Sequence, residues 1–230
     1  MRTTDTAARR ATGPDLPALA TLLASTLQAG RLGAWLVPDP TQRRTVLHTY
    51  ARLVLAHAMA HGRIDTTEDG TAMVAWHPRL RPPPPYATIL FGLYRALGPH
   101  AARFALLHSW TDAVHPPTPH HHLAHTAGDD RAVGALLAAH HRVLDPHRLP
   151  SYAEAVTDRP RDGLLARLGY APRTPVLLEP GGPMLWRMWR TAPHHQPPGG
   201  HDGDVMPQRI RVHRIPPRRT QFQEDTSCRP

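Results

Sequence analysis

Proline sets the first limits on this fold. The chain holds 27 prolines in 230 residues, more than twice the usual share of about 5%. Proline lacks an amide hydrogen and fixes φ, so it suits helix first turns, strand edges and loops, but not the interior of either element. The regular elements must therefore lie between proline-marked breaks. Asp15 with Pro17, and Asp39 with Pro40, each place a capping side chain and a first-turn proline ahead of an apolar repeat. The first repeat carries Leu16, Leu19, Leu22, Leu23 and Leu27 on one helical face and ends at Gly30. The second carries Val46, Leu47, Tyr50, Leu53, Val54 and Ala58 and ends at Gly62. Residues 7–12 ahead of them suit a short edge strand. Arg63–Thr67 and Thr71–His77 flank Glu68-Asp69-Gly70, a hairpin signal.

Pro82 to Pro85 then form an extended connector. Tyr86–Leu97 and Ala101–Val114 read as two helices. Leu90, Phe91, Tyr94 and Leu97 share a face of the first; Phe104, Leu107 and Trp110 share one of the second. After Pro116-Pro117 the rhythm becomes strand (His121–Thr126), helix (Arg131–Leu144), strand (Ser151–Val156), short helix (Arg161–Leu168) and strand (Thr174–Glu179). A Pro180-Gly181-Gly182-Pro183 turn leads to a last strand, Met184–Arg190. Pro, Gly, His, Arg and Gln dominate beyond it, and residues 191–230 are expected to be a disordered tail.

Composition narrows the class. No run approaches the roughly 20 apolar residues of a membrane helix, and residues 1–15 lack the apolar centre of a secretory signal. The single cysteine, Cys228, excludes an internal disulfide framework and a cysteine-based zinc module. A soluble cytoplasmic protein is expected, with no membrane partner. The net charge is +9 and the pI about 11.0. All 27 basic residues are arginine, and lysine and asparagine are absent. GC-rich coding accounts for this bias, and the arginines are scattered. Their densest run, Arg209 to Arg219, lies in the tail. Nucleic acid is therefore not the expected partner, although such a tail could hold a polyanion.

The order strand, helix, helix, hairpin, inserted helices, strand, helix, strand, helix, strand, strand resembles the GNAT N-acetyltransferases. Local sequence agrees at Arg10-Ala11-Thr12 with Asp15 and Leu19, and at His120 to Ala124 followed by Gly134-Ala135-Leu136-Leu137. It agrees again at Ser151 to Ala155 followed by Arg167-Leu168-Gly169-Tyr170. The ending, Pro180 to Pro183 with Leu185-Trp186 and Met188-Trp189-Arg190, fits an actinobacterial-looking branch. The resemblance implies an α/β (α+β) fold with a mixed, mostly antiparallel central sheet flanked by helices. It spans residues 1–190 as one domain, with a helical insertion at about 86–114. It also implies acetyl transfer from acetyl-CoA to a small-molecule or peptide amine by direct attack, without a metal. It does not specify the oligomeric state.

In this family the strand-to-helix junction holds the cofactor. A helix N-terminus has unpaired N–H groups and partial positive charge, which suit a pyrophosphate. The matching stretch here implicates Thr126, Ala127, Arg131, Ala132, Val133, Gly134 and Ala135. It departs from the family's Q/R-x-x-G-x-G/A pattern, with Leu136 at a small-residue position in one register and Val133 at a glycine in another. Asp129 and Asp130 place negative charge beside the anion site, or simply suit a helix start. Leu165 stands where many members carry a tyrosine acid, and Arg161 where they carry asparagine. Glu154 is the expected base, and His122 and His125 on the preceding strand are weaker candidates. A protein that keeps the fold and binds acyl-CoA without catalysis is the alternative.

The remaining features read plainly. His57 and His61 are spaced i,i+4, but no third ligand is visible nearby. His120-His121-His122 with His125 could converge on a metal only in part, because strand side chains alternate. His140-His141 and His194-His195 read as compositional bias, and Trp186 and Trp189 as packing.

Overall fold

The computed structural model describes residues 8–80, 87–179 and 182–193. The proline connector at 82–85, most of the tail, Cys228 and part of the 180–183 turn lie outside them.

The chain begins with β1 (Ala8–Arg10) and a short 3-10 turn at Gly13–Asp15. Asp15 does not cap the helix that follows. Its carboxylate turns back to accept from the Thr12 N–H (2.7 Å) and hydroxyl (2.8 Å) and from the Arg9 guanidinium. Helix α1 (Leu16–Ala29) leads into α2 (Arg31–Leu36), which the apolar repeat did not reveal. Helix α3 (Pro40–His61) is capped by Asp39, whose side chain accepts from Thr41 N–H. The hairpin β2 (Arg63–Thr67) and β3 (Met73–Arg79) follows, then α4 (Ala87–Leu97) and α5 (Ala101–Ala113). The second half runs β4 (His120–Ala127), α6 (Asp130–Leu144), β5 (Ser151–Ala155), α7 (Leu164–Arg167), β6 (Ala171–Pro172), β7 (Val176–Leu177) and β8 (Met184–Arg190).

The strands lie in the order β1-β2-β3-β4-β5-β8-β6, with β7 also on β8. Among the described residues only β4 and β5 run parallel, and every other pairing is antiparallel. Two apolar layers sandwich the sheet. One packs α1 to α5 on Ile64, Met73, Ala75 and Ala127. The other packs Val133, Leu136 and Leu137 of α6 on Val74, Trp76, Leu123, Ala153 and Met188.

The inserted helices depart from the expected face. Leu93 and Leu97 of α4 are buried, whereas Phe91 and Tyr94 are 69% and 56% exposed. Helix α4 meets α3 at Gly92, where an added Cβ would stand 3.2 Å from Leu53 Cδ1. That approach turns the aromatic pair outward. In α5, Phe104 and Leu107 are buried as expected, but Trp110 is exposed.

Candidate functional site

Strands β4 and β5 pair at only three positions, His121–Ser151, His122–Tyr152 and Leu123–Ala153. Beyond them β4 continues to Ala127 on β3 alone, and β5 continues through Glu154 and Ala155 on β8 alone. The two strands therefore part. The parting coincides with a β-bulge: Ala75 opposes His125 while Trp76 opposes Leu123, leaving Ala124 as the extra residue. From Ala124 to Ala127 one edge of β4 has no strand partner among the described residues.

At the end of β4, Gly128 turns the chain into α6 with φ +114°. A side chain there would strike the Ala72 Cβ and the Thr71 carbonyl, both at 2.7 Å, so the junction needs glycine on two counts. Asp129 caps α6, and its Oδ1 accepts from the Arg131 and Ala132 amides at 2.9 and 3.0 Å. Val133 N–H donates to the Asp129 carbonyl. A carboxylate thus already engages two of the amides expected to meet a pyrophosphate. Thr126 is half-buried, Ala127, Ala132 and Val133 are buried, and Arg131 and Ala135 are exposed. Val133 and Leu136 point into the apolar layer beneath the helix rather than across its N-terminus. Gly134 makes room for α7: an added Cβ would stand 3.3 Å from Leu164 Cδ1.

Leu165, in the expected tyrosine position, packs into that same layer. Its carbonyl accepts from Tyr170 N–H as Gly169, at φ +88°, closes α7. Tyr170 is buried, and its hydroxyl meets His141 Nε2 at 3.0 Å.

Glu154 projects from β5 just past the last β4 pair. Its Oε2 lies 2.6 Å from His122 Nε2, and its Oε1 3.8 Å from His115 Nδ1. Burial alone would raise its pKa, but His122 and His115 overcome that and hold the carboxyl well below its usual range. Tyr152, packed against His115, His120 and His122, is pushed up by burial and by the Glu154 charge. His125 is half-buried, desolvation lowers its pKa to about 3, and its ring meets that of Tyr50 edge-on. Among the four strand histidines, only His121 points to the opposite face, where it meets His140 at 3.2 Å. His115 escaped notice in the sequence because it lies between α5 and β4, where no periodic pattern marks it. His57 and His61 pack ring to ring with His77 nearby.

A cavity of about 970 Å³ opens at the C-terminal end of β5, between α2, the β7–β8 hairpin and the segment after β5. Val156, Trp35 and Trp186 line it with Arg31, Arg103, Asp158 and Glu179. Its charges are paired: Arg31 with Asp158 at 2.9 Å, and Arg103 with Glu179 at 3.3 Å. Trp35 Nε1–H also donates to Glu179, at 2.5 Å.

A mixed sheet that parts between its one parallel pair, with helices on both faces, is the GNAT acyltransferase fold. One solved structure agrees in fold. A Corynebacterium glutamicum protein described as histone acetyltransferase HPA2 and related acetyltransferase is similar at a TM-score of 0.57 and 22% identity, over 82% of this chain and 97% of that one. Arylalkylamine N-acetyltransferase 2 from Aedes aegypti is similar at a TM-score of 0.46 and 10% identity, over 81% of this chain and 99% of that one. No protein-family model matches the chain, and no curated protein sequence does. Among the described residues no helix is long and apolar enough to cross a membrane.

Proposed function

We propose that the chain is an N-acetyltransferase that moves an acetyl group from acetyl-CoA to a primary amine. The observation that carries this reading is the parting of β4 from β5 after Leu123 and Ala153. The free edge of β4 offers main-chain donors to a pantetheine arm and a thioester oxygen. Thr126 and Ala127 border that gap, and the helix start at Arg131 to Ala135 faces the pyrophosphate once Asp129 swings aside. The amine enters from the cavity at the end of β5. Its nitrogen attacks the thioester carbon, the new C–N bond forms as the C–S bond breaks, and the thiolate leaves as CoA. Glu154 takes the amine proton, through water if need be. It lies two residues before Val156, on the same side of β5. The resemblance of the fold to acetyltransferase structures supports the choice of acyl donor.

Thermal unfolding with CoA and acetyl-CoA tests binding, because ligand at 100 times its dissociation constant adds about 2.7 kcal/mol of stability. Thiol release with a panel of amines tests transfer. Stabilisation with turnover supports the proposal, and Glu154→Gln is expected to keep the stabilisation while kcat falls about 100-fold or more. Stabilisation without turnover would make the chain an acyl-CoA-binding protein. No stabilisation at millimolar ligand overturns the reading.

A further inference from the structure

Three side chains with metal-ligating atoms converge where β4 and β5 begin to part. His122 comes from β4, Glu154 from β5 and His115 from the segment between α5 and β4. One ligand atom of each lies within 4.8 Å of the others. All three side chains are nearly out of water, at 11%, 8% and 13% exposure respectively.

Hydrogen bonds orient the His115 ring. The Thr118 carbonyl can only accept, so His120, whose Nδ1 is 2.6 Å away, carries a proton on that nitrogen. In the neutral ring its Nε2 is then an acceptor. It lies 2.9 Å from His115 Nε2, so His115 must hold its proton there. His115 Nδ1 is thereby turned toward Glu154 Oε1, 3.8 Å away. That oxygen is buried and has no hydrogen-bond partner among the described residues. A cation seated between the two groups would bond both at once.

We propose that His115, His122 and Glu154 bind one divalent transition-metal ion of the zinc class. Imidazole and carboxylate bind zinc at about 2.0–2.2 Å, so neighbouring ligands of a tetrahedral ion stand about 3.4 Å apart. The His115–Glu154 separation of 3.8 Å is within a few tenths of that. The 2.6 Å His122–Glu154 contact opens by a turn of the carboxylate. Two histidines and one carboxylate leave a fourth position for water or a substrate donor, and the His115–His120–Thr118 chain is the outer shell that orients a ligating imidazole. Glu154 cannot ligate a cation and take an amine's proton together, so the metal-loaded form is the slower one if the transferase reading holds. The binding test does not depend on that reading.

Untagged full-length protein, first stripped with a chelator, is titrated with Co²⁺ and watched in the visible, and with Zn²⁺ by calorimetry. One equivalent with the intense bands of low-coordinate Co²⁺ is expected. His115→Gln, which alters a segment outside the sheet, and His122→Gln should each weaken binding at least about tenfold, and His120→Gln about 10-fold to 100-fold. His57→Gln with His61→Gln should change nothing. Circular dichroism confirms that each variant folds. Binding no tighter than millimolar, or binding that survives in both His115→Gln and His122→Gln, overturns the proposal.

Discussion

The two histidines at 140 and 141 show what single residues contribute to this molecule. Side by side in a chain with 18 histidines, they look like coding bias. Both are buried. His140 stacks on Trp76 with ring centroids 4.0 Å apart and approaches Asp65 at 3.6 Å. His141 meets the Tyr170 hydroxyl, and burial lowers its pKa to about 3. The ordinary histidine value is about 6.5, so below that pH the unfolded chain takes up a proton that the folded chain refuses. Stability is therefore unaffected by this group above pH 6.5 and falls as pH drops from there toward 3. The slope is about 1.4 kcal/mol per pH unit for one proton. Urea unfolding between pH 7 and pH 5 should show such a decline, and His141→Gln should flatten it by about one proton's worth. An unchanged slope would mean that His141 is protonated in the folded chain.

The start of α6 sets two demands against each other. Asp129 gives the helix its cap and in doing so fills the amides that a phosphate would use. Asp129→Ala should cost about 1 kcal/mol of stability through the lost cap. It should nevertheless tighten CoA binding, because two N–H groups are freed and one negative charge is removed. A lower melting temperature with a lower CoA dissociation constant is the expected pair of results. Weaker binding would place the pyrophosphate elsewhere. Elements of this kind were legible in the sequence wherever a long apolar repeat met a capping residue, as in α3. Helix α2 has only six residues around Gly33 and no repeat to read. Strand β6 has two residues, too few for alternation, and β7 keeps only two of the six residues expected at Thr174–Glu179. The site was half legible. Glu154 followed from strand alternation, but the bulge at Ala124 and the neighbour His115 depend on pairing across the sheet, which one sequence does not display.

In the whole molecule, Arg190 ties distant parts together. Its guanidinium grips Asp145 through two bonds of 2.6 and 2.8 Å and donates to the Leu168 carbonyl at 3.2 Å. It thereby joins β8 to the turn after α6 and to the end of α7. Arg190→Ala should cost about 2–3 kcal/mol in urea unfolding, since a nearly buried forked pair is broken. Arg190→Lys should recover only part of that, because an ammonium cannot present the fork. The sheet's two outer rims carry a last consequence. On one side stand the three residues of β1, including Arg9 and Arg10; on the other lie the stubs β6 and β7. Pro172, in β6, has no amide to offer. A stray backbone that approaches either rim finds charge or a missing donor and too few rungs to climb. The open sheet is thus guarded against stacking into fibres.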